Sequence, residues 1–520
     1  MKRIALVLFL FATTAAFGAD KHFVVLQLND VYKVEGLENG TIGGLARVRT
    51  LRKELGKGGT PVLVLHAGDL LFPSVMSKYL NAEAMIRVLN MLDGDASKFD
   101  DAMYATIGNH ELEKSDPLYA LGRFAESDFR WVSSNVHYCH GGKCTQTFAT
   151  RLKTVNNVVE VRVGGVPLGI FGLTTDSGTG DYFKVDFVDQ TARYADVQAA
   201  IEQLKKDGAQ MIVGLTHEDM DDDVALAGKF PEIAFIAGGH DHQYQEKTVG
   251  KVKIAKGDAD ARSVIVWDVV VPETGDPQIT TKRVFLDSTI AKDPDVDAEV
   301  QRWLKALEGK LGPNVQIGST KNLLEGVEPV VRGRESALGN FLADVARDWM
   351  HADVGLMNGG GIRINDNIPP GPVRSYDMEG IFYYANNLVS FPVTGAQLLD
   401  ILNNGVSRVD AGDGRFLQVS GLTLRYHVVN GRGEVTSVLV NGKPLDPKAT
   451  YTVGTIDYLY NFGAGDGFTL FDPSNASKPK LLPQPADRTV FDFRKATEAT
   501  IGALPEKTIT TAVEGRIVRE

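Results

Sequence analysis

Cysteine is almost missing: 520 residues contain two, Cys139 and Cys144, both in HYCHGGKC. Two thiols allow one bridge and no framework of bridges, and the expectation is a small disulfide loop turned by Gly141 and Gly142. A zinc knuckle completed by His137 or His140 is the competing reading, and an oxidising compartment argues against it. Concentrated positive charge is missing too. The net charge is -11 and no basic cluster occurs, which excludes general binding to nucleic-acid polymers, because phosphate backbones are held by clustered Lys and Arg. A small anionic substrate stays possible, given local positive charge from metals or a few arginines. Long apolar runs are absent except at the start, MKRIALVLFLFATTAAFGAD. Basic Lys2 and Arg3, an apolar stretch from Ile4 to Phe17 and small residues at Ala16 and Gly18 predict a secretory signal cut after Gly18 or Ala19, and hence a periplasmic or secreted protein. That run is short of the ~20 residues a membrane span needs, so no stable span is expected. No internal repeat and no G-x-S-x-G nucleophile elbow occurs, which removes a Ser/His/Asp mechanism.

What is present suits a packed chain of two or three domains, with 43% hydrophobic residues. Five times in the first 245 residues an apolar run ends abruptly in polar residues. FVVLQL precedes Asn29-Asp30, PVLVLHA precedes Gly68-Asp69 and MYATI precedes Gly108-Asn109-His110; MIVGLT precedes His217, and IAFIAG precedes Gly239-His240-Asp241-His242. Such runs predict buried strands. Helix-like segments at 82–92 and 192–208 lie between them, so the expected class is α/β, with the polar clusters gathered at the carboxyl ends of the strands. From Asp293, DPDVDAEVQRWLKALEGKLG predicts one amphipathic helix with a Gly-Pro stop at 312 and 313. The expected division is a signal over 1–18, a first domain over 19–290, a linker helix region over 291–325 and a second domain over 326–520.

Two divalent metals sharing a carboxylate need oxygen and nitrogen ligands on rigid elements. Asp69, Asn109, His217, His240 and His242 supply those atoms. Each short motif alone is an ordinary turn; their order is what distinguishes them. The order resembles the calcineurin-like metallophosphoesterases, whose pattern D-x-H, GD, GNH[ED], H and GHxH reads here as Asp30, Asp69, Asn109-His110-Glu111, His217 and His240-Asp241-His242. The resemblance covers roughly residues 22 to 290. It implies a four-layer αββα sandwich, one metal on Asp30, Asp69 and His242, a second on Asp69, Asn109, His217 and His240, and His110 beside the scissile phosphate with Glu113 as its paired acid. A metal-bridging hydroxide would then attack phosphorus directly. The metals could be Zn, Mn, Fe or Co. Tyr32 stands where the pattern has a histidine. Three readings compete: a ligating phenolate, water in the place of the missing imidazole, or an impaired site. A phenol with an ordinary pKa near ~10 ionises only beside a strongly acidic metal, so a neutral Tyr32 near the site is favoured over direct ligation.

In the second part, MNGGGIR (357–363) follows a strand-like ADVGL, and RGRESALGN (332–340) carries Arg332 and Arg334. A glycine-rich loop can cradle an anion with its N–H groups, that of Gly360 included, and arginine forks suit phosphate. These segments resemble the C-terminal substrate-binding domain of the 5'-nucleotidase family. The resemblance implies nucleotide contacts from Arg332, Asn358 and Arg363. It also implies a base held between Tyr384 and a second tyrosine near the GAGDGF loop (463–468) that contains Asp466. Matching TIDYL gives Tyr458 for that second ring; counting back from Asp466 gives Tyr460. The whole implies an exported dimetal phosphohydrolase acting on nucleoside 5'-monophosphates, with rotation of one domain against the other. A 2',3'-cyclic phosphodiesterase, a UDP-sugar pyrophosphohydrolase and a nucleotide-binding protein with a degenerate metal site are the alternatives. The oligomeric state is not legible.

Overall fold

The computed structural model describes residues 20–112, 117–140, 143–147, 152–175, 183–185 and 190–520. The signal segment and Glu113 lie outside them, as do the side chains of Cys139, His140 and Cys144 and with them the disulfide and zinc-knuckle readings. The backbones of Cys139 and Cys144 stand opposite each other in the hairpin Val136–His140 and Lys143–Thr147.

The apolar runs form the middle of two stacked sheets. One has the strand order Gln278–Phe285, Ser263–Val271, Lys21–Leu28, Val62–His66, Met103–Thr106, Arg130–Val132, Val155–Asn156, parallel from Lys21–Leu28 onward and antiparallel at the other edge. The other runs Gln245–Val249, Val252–Lys256, Ile233–Gly238, Met211–His217, Val166–Thr174, Val158–Val163, with four parallel strands between antiparallel edges. Successive side chains of a strand point to opposite faces. In Lys21–Leu28, Phe23 and Val25 accordingly join Leu63, Val213, Phe235 and Trp267 between the sheets, while Leu26 and Leu28 pack with Leu45, Val48 and Val88 of the helical layer. Burial on both faces is why these strands read as unbroken apolar runs. Helices outside two facing sheets give the four layers. Phe235 stacks on Trp267 at 4.5 Å, and burying a phenylalanine this fully stabilises by about 1.5–3 kcal/mol. The polar Gln27 is tolerated there because its amide donates to the Gly238 and Ala255 carbonyls at 3.0 and 2.8 Å and its oxygen accepts from the Trp267 indole at 2.6 Å.

The helix expected after Asp293 spans Pro294–Leu311. Asp293 caps it by accepting from the Asp295 and Val296 N–H groups, Pro294 starts it, and Gly312 at φ 79° ends it. Val296, Val300 and Trp303 belong to the first core, so the helix is packed onto the first unit rather than suspended between two. Beyond it a second core forms from residues between Leu324 and Ile517. It surrounds a sheet ordered Leu388–Thr394, Thr450–Ile456, Val354–Asn358, Leu417–Ser420, covered by the helix Ala337–Trp349, whose N-cap Ser336 accepts from the Gly339 N–H. The two units meet through Lys33 and Asp366 at 3.0 Å, Asn365 donating to Asp260 at 3.2 Å and Tyr79 donating to Glu379 at 2.9 Å.

Candidate metal centre

Left-handed backbone marks the strand ends where the polar residues sit: φ is 52° at Asp30, 54° at Asp69, 82° at His240 and 59° at His242. Side-chain-bearing residues rarely adopt this region, and four together at neighbouring strand ends are backbone strain held in place by a site. Two glycines let the loops close up. A Cβ at Gly68 would lie 2.5 Å from His217 Nδ1, and one at Gly108 would lie 2.1 Å from Asp69 Oδ1. Buried Glu111 ties the same loops together by accepting from the N–H groups of Asp69, Leu70, Leu71 and Gly108 at 2.6–2.9 Å. Burial and the Asp69 charge push it up to about 7 against those donors.

One ion position is defined around His217. Its Nδ1–H donates to the Ala67 carbonyl at 2.7 Å, which turns Nε2 toward Asp69 Oδ2 at 3.2 Å, Asn109 Oδ1 at 3.1 Å and His240 Nδ1 at 3.3 Å. Burial, reinforced by His217, pushes His240 down to about 3, so it offers a lone pair. Lone pairs converging from two imidazoles, an amide oxygen and a carboxylate form the donor set of a divalent ion. The same convergence attracts a proton: burial would lower His217, but the Asp69 and Asp30 carboxylates outweigh it and raise it to about 9.

The other position has a different composition. Ligand atoms of Asp30, Asp69 and His242 lie within 4.8 Å of one another. Among them stands the hydroxyl of buried Tyr32, 3.3 Å from Asp30 Oδ1, 3.0 Å from Asp69 Oδ2 and 2.9 Å from His242 Nε2. Burial first, then Asp69 and Asp30, push this phenol well above its ordinary value, which suits a neutral tyrosine. Both positions fit divalent ions by donor type, with Asp69 common to the two. His110 lies alongside: its N–H donates to Asp69 Oδ1 at 3.0 Å and its ring Nε2 is 4.0 Å from Asp69 Oδ2.

These groups open on a cleft of about 770 Å³ between the units, lined by Asp69, Asn109, His110, His240 and His242 on one side and by Glu328, Arg332, Arg363 and Arg408 on the other. Arg332 and Arg363 therefore line the cleft together with the candidate metal ligands. Asn358 does not: it is 2% exposed, beneath the loop. Gly360 departs from the expectation of an N–H offered to an anion, because its N–H donates to the Gly414 carbonyl at 2.8 Å. The N–H groups of Gly359, Ile362 and Arg363 are likewise bonded within the unit. The loop is a tight turn that carries Arg363 to the cleft.

Tyr384 is 46% exposed and Tyr458 38% exposed; the Arg363 guanidinium lies 5.8 Å from the Tyr384 ring, and the Tyr458 hydroxyl is 3.4 Å from Asp466. Tyr460 is turned the other way, packed on Phe391 and Phe471 and donating to the Pro479 carbonyl at 2.9 Å. Of the two candidates only Tyr458 is presented with Tyr384. Sequence reasoning passed over Glu328, Arg408 and Phe462. Phe462 is 65% exposed and 5.8 Å from Tyr458; its i+4 spacing from Tyr458 in DYLYNF was the signal that could have found it.

An αββα sandwich with carboxylates and imidazoles at its strand ends, facing arginines of a second α/β unit, defines a metal-dependent phosphoester hydrolase. The calcineurin-like phosphoesterase profile matches residues 23–244 and the 5'-nucleotidase C-terminal domain profile residues 316–473. The chain therefore carries a calcineurin-like phosphoesterase domain, of a family that uses divalent metals, followed by a 5'-nucleotidase C-terminal domain. Protein UshA of Yersinia enterocolitica is 27% identical, the match covering 82% of this chain and 83% of that one. The trifunctional nucleotide phosphoesterase protein YfkN of Bacillus subtilis is also 27% identical, over 88% of this chain but only 32% of its own length, so the chain spans about a third of that relative. In fold, the 5'-nucleotidase precursor from Thermus thermophilus superposes with a TM-score of 0.76 at 24% identity, covering 96% of this chain and 99% of that one.

Proposed function

We propose that this chain releases phosphate from nucleoside 5'-monophosphates. The observation that carries the reading is the shared cleft, with the candidate metal ligands on one wall and Arg332 and Arg363 on the other. Ions held by Asp30, Asp69 and His242 and by Asp69, Asn109, His217 and His240 would supply a nucleophile from water at neutral pH and neutralise phosphate oxygens. The chain's own residues do the remainder. Arg332 and Arg363 bind the phosphate and ribose side of the substrate through their planar forks. His110, on the cleft wall next to Asp69, stabilises the phosphoryl oxygens or protonates the leaving oxygen. Tyr384 and Tyr458 stack on the base, worth roughly 1–3 kcal/mol per base and indifferent to which base it is.

The test is a panel of 5'-mononucleotides, 2',3'-cyclic nucleotides and UDP-sugars, assayed with Zn, Mn, Fe or Co added separately to chelated protein. The 5'-mononucleotides are expected to turn over fastest, and preference for a cyclic nucleotide or a UDP-sugar would replace this reading with one of the two sister activities. Asp69→Asn should lower kcat by more than about 100-fold, beyond what losing a supporting hydrogen bond at a metal site does; near-normal turnover would sink the shared-carboxylate assignment. Tyr32 is the feature favouring a binding-only protein, and two bound ions with turnover in one sample would end that alternative. Export is proposed from the basic, apolar and small residues of the first 18 positions. A mature N-terminus at Ala19 or Asp20 checks it, and an intact Met1 in exported material would refute it.

A further inference from the structure

Glu328 lies in the second unit, in the short helix Glu328–Val331, and is 5% exposed. Its Oε2 is 2.5 Å from His242 Nδ1. Its Oε1 is 2.5 Å from Arg332 Nη2 and 3.2 Å from Arg363 Nη1. One carboxylate thus touches a candidate metal ligand of the first unit and both candidate phosphate-binding arginines of the second.

We propose that Glu328 is a positioning residue for the ion position formed by Asp30, Asp69 and His242: it fixes His242 from across the domain junction. The inference rests on the dimetal reading above. A carboxylate in ion-pair contact with Nδ1 favours the neutral tautomer that carries its proton on Nδ1, and that tautomer leaves Nε2 as the metal-binding lone pair. In His242 that Nε2 is the atom facing Asp30 Oδ1 at 3.3 Å. The contrast with His217 is instructive. His217 is oriented by the Ala67 carbonyl of its own unit, so its ion position is set whatever the second unit does. His242 takes its orienting partner from the other unit, and this makes ion affinity there and docking of the units reciprocally linked. The same carboxylate occupies the forks of Arg332 and Arg363, so an arriving phosphate competes with it and is sensed at His242.

The experiment is calorimetric titration of chelated, full-length protein with Mn²⁺ for wild type, Glu328→Ala, Glu328→Gln and Glu328→Asp. Wild type should take up two ions. Glu328→Ala should weaken one of them about 10- to 100-fold, the usual effect of losing the partner of a ligating histidine, and leave the other within about twofold. Glu328→Gln keeps an amide oxygen able to stand beside Nδ1 and should recover part of the loss, which a general packing defect would not allow. Glu328→Asp keeps the charge near the arginines but withdraws it from His242; it should resemble Glu328→Ala and decides the matter if the alanine variant does not fold. Wild-type affinity for both ions in Glu328→Ala or Glu328→Asp would overturn the inference. Failure of the dimetal reading is seen separately, as uptake of fewer than two ions by wild type. If a single remaining ion is weakened tenfold by Glu328→Ala the inference stands; if it is not, or if no ion is taken up, the inference falls.

Discussion

At residue 32 the chain places a phenol within 3.3 Å of the three donors that would share an ion. A neutral hydroxyl is a weak ligand, and a buried one surrounded by two carboxylates stays neutral, since ionising it would add a third negative charge in a poorly solvated place. If both candidate positions take an ion, the one around His217 is expected to bind it more tightly than the one beside Tyr32. Tyr32→His would put an imidazole where the phenol stands. Mn²⁺ titration should show the weaker of the two affinities rise by about tenfold or more, equivalent to about 1.4 kcal/mol, with the stronger one unchanged. Equal affinities in the wild type, or no gain in the variant, would mean that Tyr32 does not limit the site.

At the scale of elements, the ligands are held by loops that are themselves pinned from below. Lys256 ends the strand Val252–Lys256 with no exposure. It pairs with Asp223 at 3.2 Å and with Asp241 of the GHDH turn, and donates to the Glu218 carbonyl beside His217. Burial alone would depress the ammonium, but Asp223 and Asp241 outweigh it and hold it above its ordinary value. Lys256→Met leaves two carboxylates facing each other without a cation. Removing one partner of a buried pair costs about 3–5 kcal/mol, and urea unfolding should show a loss of that size, partly recovered in Lys256→Met with Asp223→Asn. A loss below about 1 kcal/mol, as for an exposed pair, would contradict the burial of the network.

The strands and their polar ends were legible in the sequence because strands buried on both faces leave unbroken apolar runs, and rigid strand ends are where ligands must stand. Glu328 was not legible: in EGVEPVV it looks like any acid near a turn, and its meaning comes from His242 and Arg363, which only folding brings to it. Gly360 misled for the opposite reason. Glycine richness signals close backbone approach, and the approach here is to Gly414 rather than to a ligand. The choice between Tyr458 and Tyr460 needed the helix Asp457–Phe462, in which residues two apart point to different sides while 458 and 462 share one.

Across the whole molecule, the centre lies within the first core and its protonation is linked to global stability. His217 is raised from 6.5 to about 9, because Asp69 and Asp30 outweigh the effect of burial. A folded-state pKa above the unfolded one contributes stability that is fully present below about pH 6.5 and is lost as pH rises through about 9. Chelated protein should therefore lose Tm steadily across that window. A divalent ion binds the lone pair that the proton would take, so metal binding releases the proton and gains affinity as pH rises. The Tm of metal-loaded protein should then change less, and the difference between loaded and chelated samples should widen from pH 6.5 to pH 9. Scanning calorimetry of both forms at pH 6.5, 7.5 and 9 is the check. A difference that stays constant or narrows would show that His217 does not exchange its proton for the ion, and would remove it from the ligand set.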